Sequence, residues 1–138
     1  MDCPFCNLNQ EKDRILKSTK HCWVIFSNPR LMPGHLLVIP KKHIEKISQL
    51  NTEEKNDLFT LIEEYQEKVL SNISSGCDIR QHHRPFQKQT NLKVHHLHFH
   101  LQPRELFDEL YQKCQKHETE IFQTLPIEEA NIIINKLK

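Results

Sequence analysis

Val94-His95-His96-Leu97-His98-Phe99-His100-Leu101-Gln102-Pro103-Arg104 is the stretch that decides how this chain folds. Successive side chains of a β-strand point to opposite faces, so His96, His98 and His100 share one face and Leu97, Phe99 and Leu101 the other. A helix would scatter the same residues around its circumference, so the strict alternation predicts a strand. The apolar face asks for a core, and the imidazole face then opens on a cleft or holds something. Neighbouring rings repel when protonated, so the arrangement favours neutral imidazoles, the form that ligates metals or attacks electrophiles. A single strand histidine is ordinarily structural, whereas three on one face point to function. Spacing alone leaves metal binding and nucleophilic attack both open.

The rest of the chain sets the frame. Its 138 residues predict one domain with a real core. Nineteen Lys and Arg against 18 Asp and Glu give no general argument for nucleic-acid or membrane binding. No apolar run approaches the length of a membrane span, and residues 1–15 lack the apolar core of a signal peptide, so a cytoplasmic location is expected. Five cysteines, an odd number, suit a reducing compartment better than a disulfide framework.

Upstream of the histidines, residues 82–93 form a polar connection in which His82 and His83 are expected at the surface. Cys77 to Gln81 is a short strand candidate. Asn51-Thr52-Glu53-Glu54 has the capping-box spacing, and Leu58, Leu61, Ile62, Tyr65, Val69 and Leu70 follow as one apolar stripe. A long helix from Asn51 to about Ser71 is predicted, with Tyr65 used for packing. Lys42 to Leu50 is expected to be a short helix. His35 to Ile39 reads as an apolar strand stopped by Pro40, after a turn at Pro33-Gly34, and residues 14–27 read as a hairpin around Ser18–Lys20. Cys3 and Cys6 could offer two thiolates to one tetrahedral ion, or be two small buried residues; a redox pair would need a helix N-terminus beside it. Downstream, Leu106, Phe107, Leu110 and Tyr111 are expected to share a helix face, and Pro126 suits the start of a last helix over residues 127–137.

His-x-His-x-His-x-x-Pro-Arg at 96–104, together with Pro33-Gly34-His35-Leu36-Leu37-Val38-Ile39-Pro40-Lys41-Lys42-His43, resembles the histidine triad (HIT) superfamily of nucleotide hydrolases and transferases. The two motifs and the region between them cover most of residues 3–104. The resemblance implies an α+β fold: an antiparallel sheet of about five strands with the long helix on one face. Residues 1–104 would form the HIT-like domain; residues 105–138 lie outside the resemblance and are read from their own pattern as a helical extension of the same domain. It implies a structural zinc held by Cys3, Cys6, His43 and His96, a closed site because all four ligands come from protein. His98 would attack the α-phosphorus of a nucleotide to give a covalent nucleotidyl-histidine. His100 and His35 would hydrogen-bond the phosphoryl and leaving oxygens, with no catalytic cofactor. Ser27 or Asn28 would meet the ribose, and Arg80 and Gln81 a phosphate or ribose. A homodimer is also implied.

One departure stands out. Many members carry a glycine-rich loop ending in Gly-Gln-Ser/Thr-Val before the triad, whereas this chain has Asn91-Leu92-Lys93-Val94. Lys93, Arg84 or Lys88 could take over the phosphate contact, or the loop could be merely basic and solvated. Dinucleoside polyphosphates, nucleoside phosphoramidates and adenylylated compounds are all compatible substrates. Two competing expectations stand beside the hydrolase. In one, His96, His98 and His100 ligate a catalytic metal with a bound water. In the other, the chain is a zinc-stapled nucleotide- or partner-binding module with little or no turnover.

Overall fold

A computed structural model describes residues 3–10 and 14–138. The chain forms two compact units, one ending at Leu106 and one spanning Phe107–Lys138. The first is built on five strands: β1 (Ile15–Ser18), β2 (Cys22–Phe26), β3 (Leu36–Pro40), β4 (Gly76–Arg80) and β5 (Phe99–Arg104). They lie in the order β1-β2-β3-β5-β4, and every neighbouring pair is antiparallel. Helix α1 (Thr52–Asn72) connects β3 to β4. The α+β architecture with a five-stranded antiparallel sheet is therefore as expected.

Helix α1 starts where the capping box places it. The Asn51 side chain accepts from the Glu54 amide at 2.8 Å, and the Glu54 carboxylate accepts from the Asn51 amide at 2.9 Å. Its buried stripe of Leu58, Leu61, Ile62, Tyr65 and Val69 packs in one cluster with Val24, Leu36, Val38, Leu97, Phe99 and Leu101. The apolar side of the triad segment thus faces α1, which leaves the imidazoles for the opposite face of the sheet. A smaller cluster forms there from Phe5, Leu8, Ile25, Leu37 and Ile39. β3 is buried along its whole length because it contributes to both layers.

Two turns differ from expectation. The segment after β3 is not a helix from Lys42 to Leu50; only Ile47–Gln49 makes a single 3₁₀ turn. Gln49 Oε1 accepts from the amides of Glu45 and Lys46, and its bond to Lys46 is the capping-box contact that starts the helical turn at Ile47, not at Lys42. The expected strand through all three histidines forms only from Phe99, with a bend at His95 and His96 before it; Val38 is the last β3 residue paired with the segment and Arg80 the last from β4. Before that point the Leu97 amide donates to the Ile44 carbonyl at 2.6 Å.

The second unit contains α2 (Glu109–Lys113), a 3₁₀ segment at Gln115–Glu120 and α3 (Ile127–Leu137). The expected helical face of Leu106, Phe107, Leu110 and Tyr111 does not form as one surface. Phe107 has φ +57°, which a helix cannot use, and Asp108 caps α2 by accepting from the Tyr111 amide at 2.9 Å. Pro126 stands at the N-cap of α3, as its position suggested. Among the described residues no helix is long and apolar enough to cross a membrane.

Candidate active site

The imidazole face of the triad segment borders a pocket of about 500 Å³. His98 lines it. Its Nδ1 lies 2.6 Å from the backbone oxygen of His96, so Nδ1–H donates there and the lone pair sits on Nε2. Among the described residues Nε2 has no hydrogen-bond partner, and it is not sealed from solvent. The ring is held edge-on by Phe5 at 5.1 Å and by His100 at 4.9 Å between centroids.

A second tautomer chain runs beside it. The Leu31 amide donates to His35 Nδ1 at 3.1 Å, which puts the His35 proton on Nε2. That Nε2–H donates to His100 Nδ1 at 2.9 Å and leaves the His100 proton on Nε2. His35 sits at the mouth of β3, positioned by Gly34, whose φ of +82° opens a turn that a side chain would strain. Burial is the main force holding these rings neutral. It pushes His35 down to about 4, with the neighbouring His98 adding to the effect. It pushes His100 to about 2, aided by His98, His35, His82 and Arg80. His98 is lowered as well, chiefly by burial; the bond to the His96 carbonyl works the other way.

His82, expected at the surface, instead lines the pocket with its ring centroid 5.5 Å from His100. Burial and then Arg84, Arg80 and Lys93 push it down to about 4. The pairing of Arg80 with His100 brings His82, two residues on, to the triad, and two adjacent histidines beside an arginine were the signal available in the sequence. Ser27, Asn28, Arg80 and Lys93 also line the pocket. The Ser27 hydroxyl donates to the Pro29 carbonyl at 2.8 Å. Gln81 is not among the lining residues, and its amide donates to the His82 carbonyl at 2.8 Å. Lys88 is likewise not a lining residue, whereas Arg84 is. Glu45 is the one carboxylate among the described residues that line the cavity, so its potential favours an anion.

His96 turns to a different task. Its Nε2–H donates to the Pro40 carbonyl at 2.7 Å, which leaves a lone pair on Nδ1. That atom lies 3.3 Å from Cys3 Sγ, 3.7 Å from Cys6 Sγ and 3.2 Å from His43 Nδ1, and His43 Nδ1 lies 3.3 Å from Cys6 Sγ. One tetrahedral zinc ion with ordinary bond lengths would set its nitrogens about 3.3 Å apart and each nitrogen about 3.6 Å from a sulfur. The donor set and its spacing fit such an ion. Among the described residues this is the one group of metal-type donors that converges. The alternative in which His96, His98 and His100 share a catalytic metal is not assembled.

A family model for the HIT domain matches residues 8–107, well over half of the chain. The chain belongs to the HIT domain family. Among HIT relatives, the nitrilase and fragile histidine triad fusion protein NitFhit of Caenorhabditis elegans is 30% identical over 122 residues, covering 84% of this chain and 27% of that protein. A bis(5'-nucleosyl)-tetraphosphatase (asymmetrical) of Schizosaccharomyces pombe is 32% identical over 96 residues, covering 64% of this chain and 50% of that protein. The chain thus spans half or less of the length of these two curated relatives. In fold it resembles the crystal structure of a HIT family member from Bacillus subtilis, with TM-score 0.69 and 20% identity over 99% of this chain and 95% of that one.

Proposed function

We propose that this HIT protein is a nucleotide phosphohydrolase or nucleotidyl transferase that works at the α-phosphate through a covalent nucleotidyl-histidine on His98. The observation that carries this reading is the fixed tautomer of His98: Nδ1–H is tied to the His96 carbonyl, and a free Nε2 lone pair faces a cationic pocket. Attack by Nε2 forms a P–N bond and breaks the P–O or P–N bond to the leaving group, which departs with the electron pair, an amine also taking up a proton from solvent. The ring gains positive charge, and the His96 carbonyl dipole stabilises it without accepting the proton. Nε2–H of His100 is the donor available to the phosphoryl oxygens, and His35 keeps it on that nitrogen. Water or another acceptor then attacks phosphorus, the P–N bond breaks, and His98 returns to its starting tautomer while the proton of water leaves to solvent.

In the same proposal Ser27 or Asn28 meets the ribose, and Arg80 and Lys93 meet phosphate oxygens in place of the missing glycine-rich loop. Cys3, Cys6, His43 and His96 hold a structural zinc that ties the N-terminus to the sheet and takes no part in the reaction. A homodimer belongs to this reading too, and light scattering should give twice the chain mass.

The test is turnover of diadenosine tetraphosphate with rapid acid-free quenching to trap an adenylylated protein. Labelling should map to His98, and His98→Ala should slow turnover by about 10⁴ or more. Hydrolysis unchanged in the variant would mean another nucleophile. Binding of the nucleotide with no turnover in the native protein would instead identify a binding module.

A further inference from the structure

His82 has no role in the chemistry above, yet its placement is specific. It lines the pocket, leans over His100, and has an Nε2 shut off from water with no hydrogen-bond partner among the described residues. A buried polar atom without a partner is unfavourable unless something outside the protein supplies one. Three cations surround it. Arg80, Arg84 and Lys93 all border the same cavity, and all three act electrostatically on the His82 ring.

We propose that His82, with Arg80, Arg84 and Lys93, forms a subsite for the leaving group, and that this subsite selects substrates whose leaving group is itself a phosphate. The inference rests on the reading of His98 as nucleophile. With a rotation of the ring that brings a protonated Nε2 out to the cavity, His82 can donate to a non-bridging oxygen beyond the α-phosphate. The arginines and lysine balance the two or more charges that such a chain brings.

The reaction itself favours the same class. When the bond to the leaving oxygen breaks, a terminal phosphate departs as an anion and needs no proton, only nearby positive charge. An amine leaving from a phosphoramidate must take a proton onto nitrogen as it goes. His35, His100 and His82 are held neutral chiefly by burial, so none of these three supplies that proton as a strong acid. Cations without acids suit a departing phosphate.

The experiment compares kcat/KM for diadenosine tetraphosphate and adenosine 5'-phosphoramidate in the native protein, His82→Leu and Arg84→Gln. Isothermal titration of inorganic tripolyphosphate into the same proteins is run in parallel. The native protein should prefer the tetraphosphate. In each variant the ratio of the two kcat/KM values should fall about tenfold or more, the scale of one charge-assisted hydrogen bond. Tripolyphosphate affinity should weaken in step. Arg84→Gln, in a loop away from the packed layers, guards against misfolding of the histidine variant. An unchanged ratio with turnover intact overturns the subsite and leaves the nucleophile standing. Absent turnover of both substrates, with tripolyphosphate bound in a His82-dependent way, overturns the hydrolase reading and keeps the subsite. Tripolyphosphate binding that ignores both substitutions overturns the subsite outright.

Discussion

Acidification should destabilise this protein through His35, and His35→Gln should remove that part of the loss. The native ring is almost fully buried and gains its proton only near about 4, mainly because burial penalises the charge. Geometry adds a reason: protonating Nδ1 would set an N–H against the Leu31 N–H that now donates to it. In the unfolded chain the same ring takes its proton near 6.5. Between those values the unfolded state binds more protons, so stability rises with pH. It is complete above about 6.5 and declines as pH falls toward about 4. At about 1.36 kcal/mol per pH unit, the interval is worth about 3 kcal/mol. Urea unfolding followed by the fluorescence of Trp23, the one tryptophan, at pH 7.5 and 4.5 provides the measurement. The glutamine variant loses some packing, but equally at both values, and the cysteine–histidine cluster common to both proteins cancels in the difference. The stability drop should be about 2–3 kcal/mol smaller in the variant. Identical drops would refute the claim that a buried neutral His35 is what acid attacks.

Three further outcomes follow from the same geometry. Zinc analysis should find one ion per chain and none in Cys3→Ser; stripping it should lower the melting temperature, while turnover per folded molecule persists in excess chelator. Loss of turnover with the fold unchanged would move the ion into the chemistry. Asn51→Ala removes the cap of α1 and should cost about 1 kcal/mol in urea unfolding; a change under about 0.3 kcal/mol would contradict the cap's role. Gly34→Ala combines a left-handed φ with a new Cβ 3.1 Å from Pro103 Cγ and 3.3 Å from Ile73, and should cost more than about 1 kcal/mol. A neutral result there would show that the turn before His35 relaxes freely.

Most of the layer structure was legible because it rests on short-range patterns. Alternation sent Leu97, Phe99 and Leu101 to α1 and the histidines to the other side, and the Asn51–Glu54 box set where α1 begins. The motif residues that gather around the pocket and the metal-type cluster were named from resemblance, with tautomers added only by the structure. What escaped depends on tertiary encounters. Gln49 reached back to the amides of Glu45 and Lys46 and set the start of the helical turn at Ile47, five residues later than local propensity allowed. Asp108 took the cap position that an apolar periodicity through Leu106 and Phe107 had obscured. His82 reached His100 because Arg80, two residues before it, is paired with His100 across β4 and β5, a long-range pairing that no local pattern announces.

His96 offers its ring to the cysteine–histidine cluster and its carbonyl to His98. Backbone and side chain of one residue therefore serve two centres, and neither can be redesigned alone. Grafting a purely hydrophobic staple over the first few residues would have to reproduce where one oxygen atom sits, or the neighbouring imidazole would be free to present the wrong nitrogen.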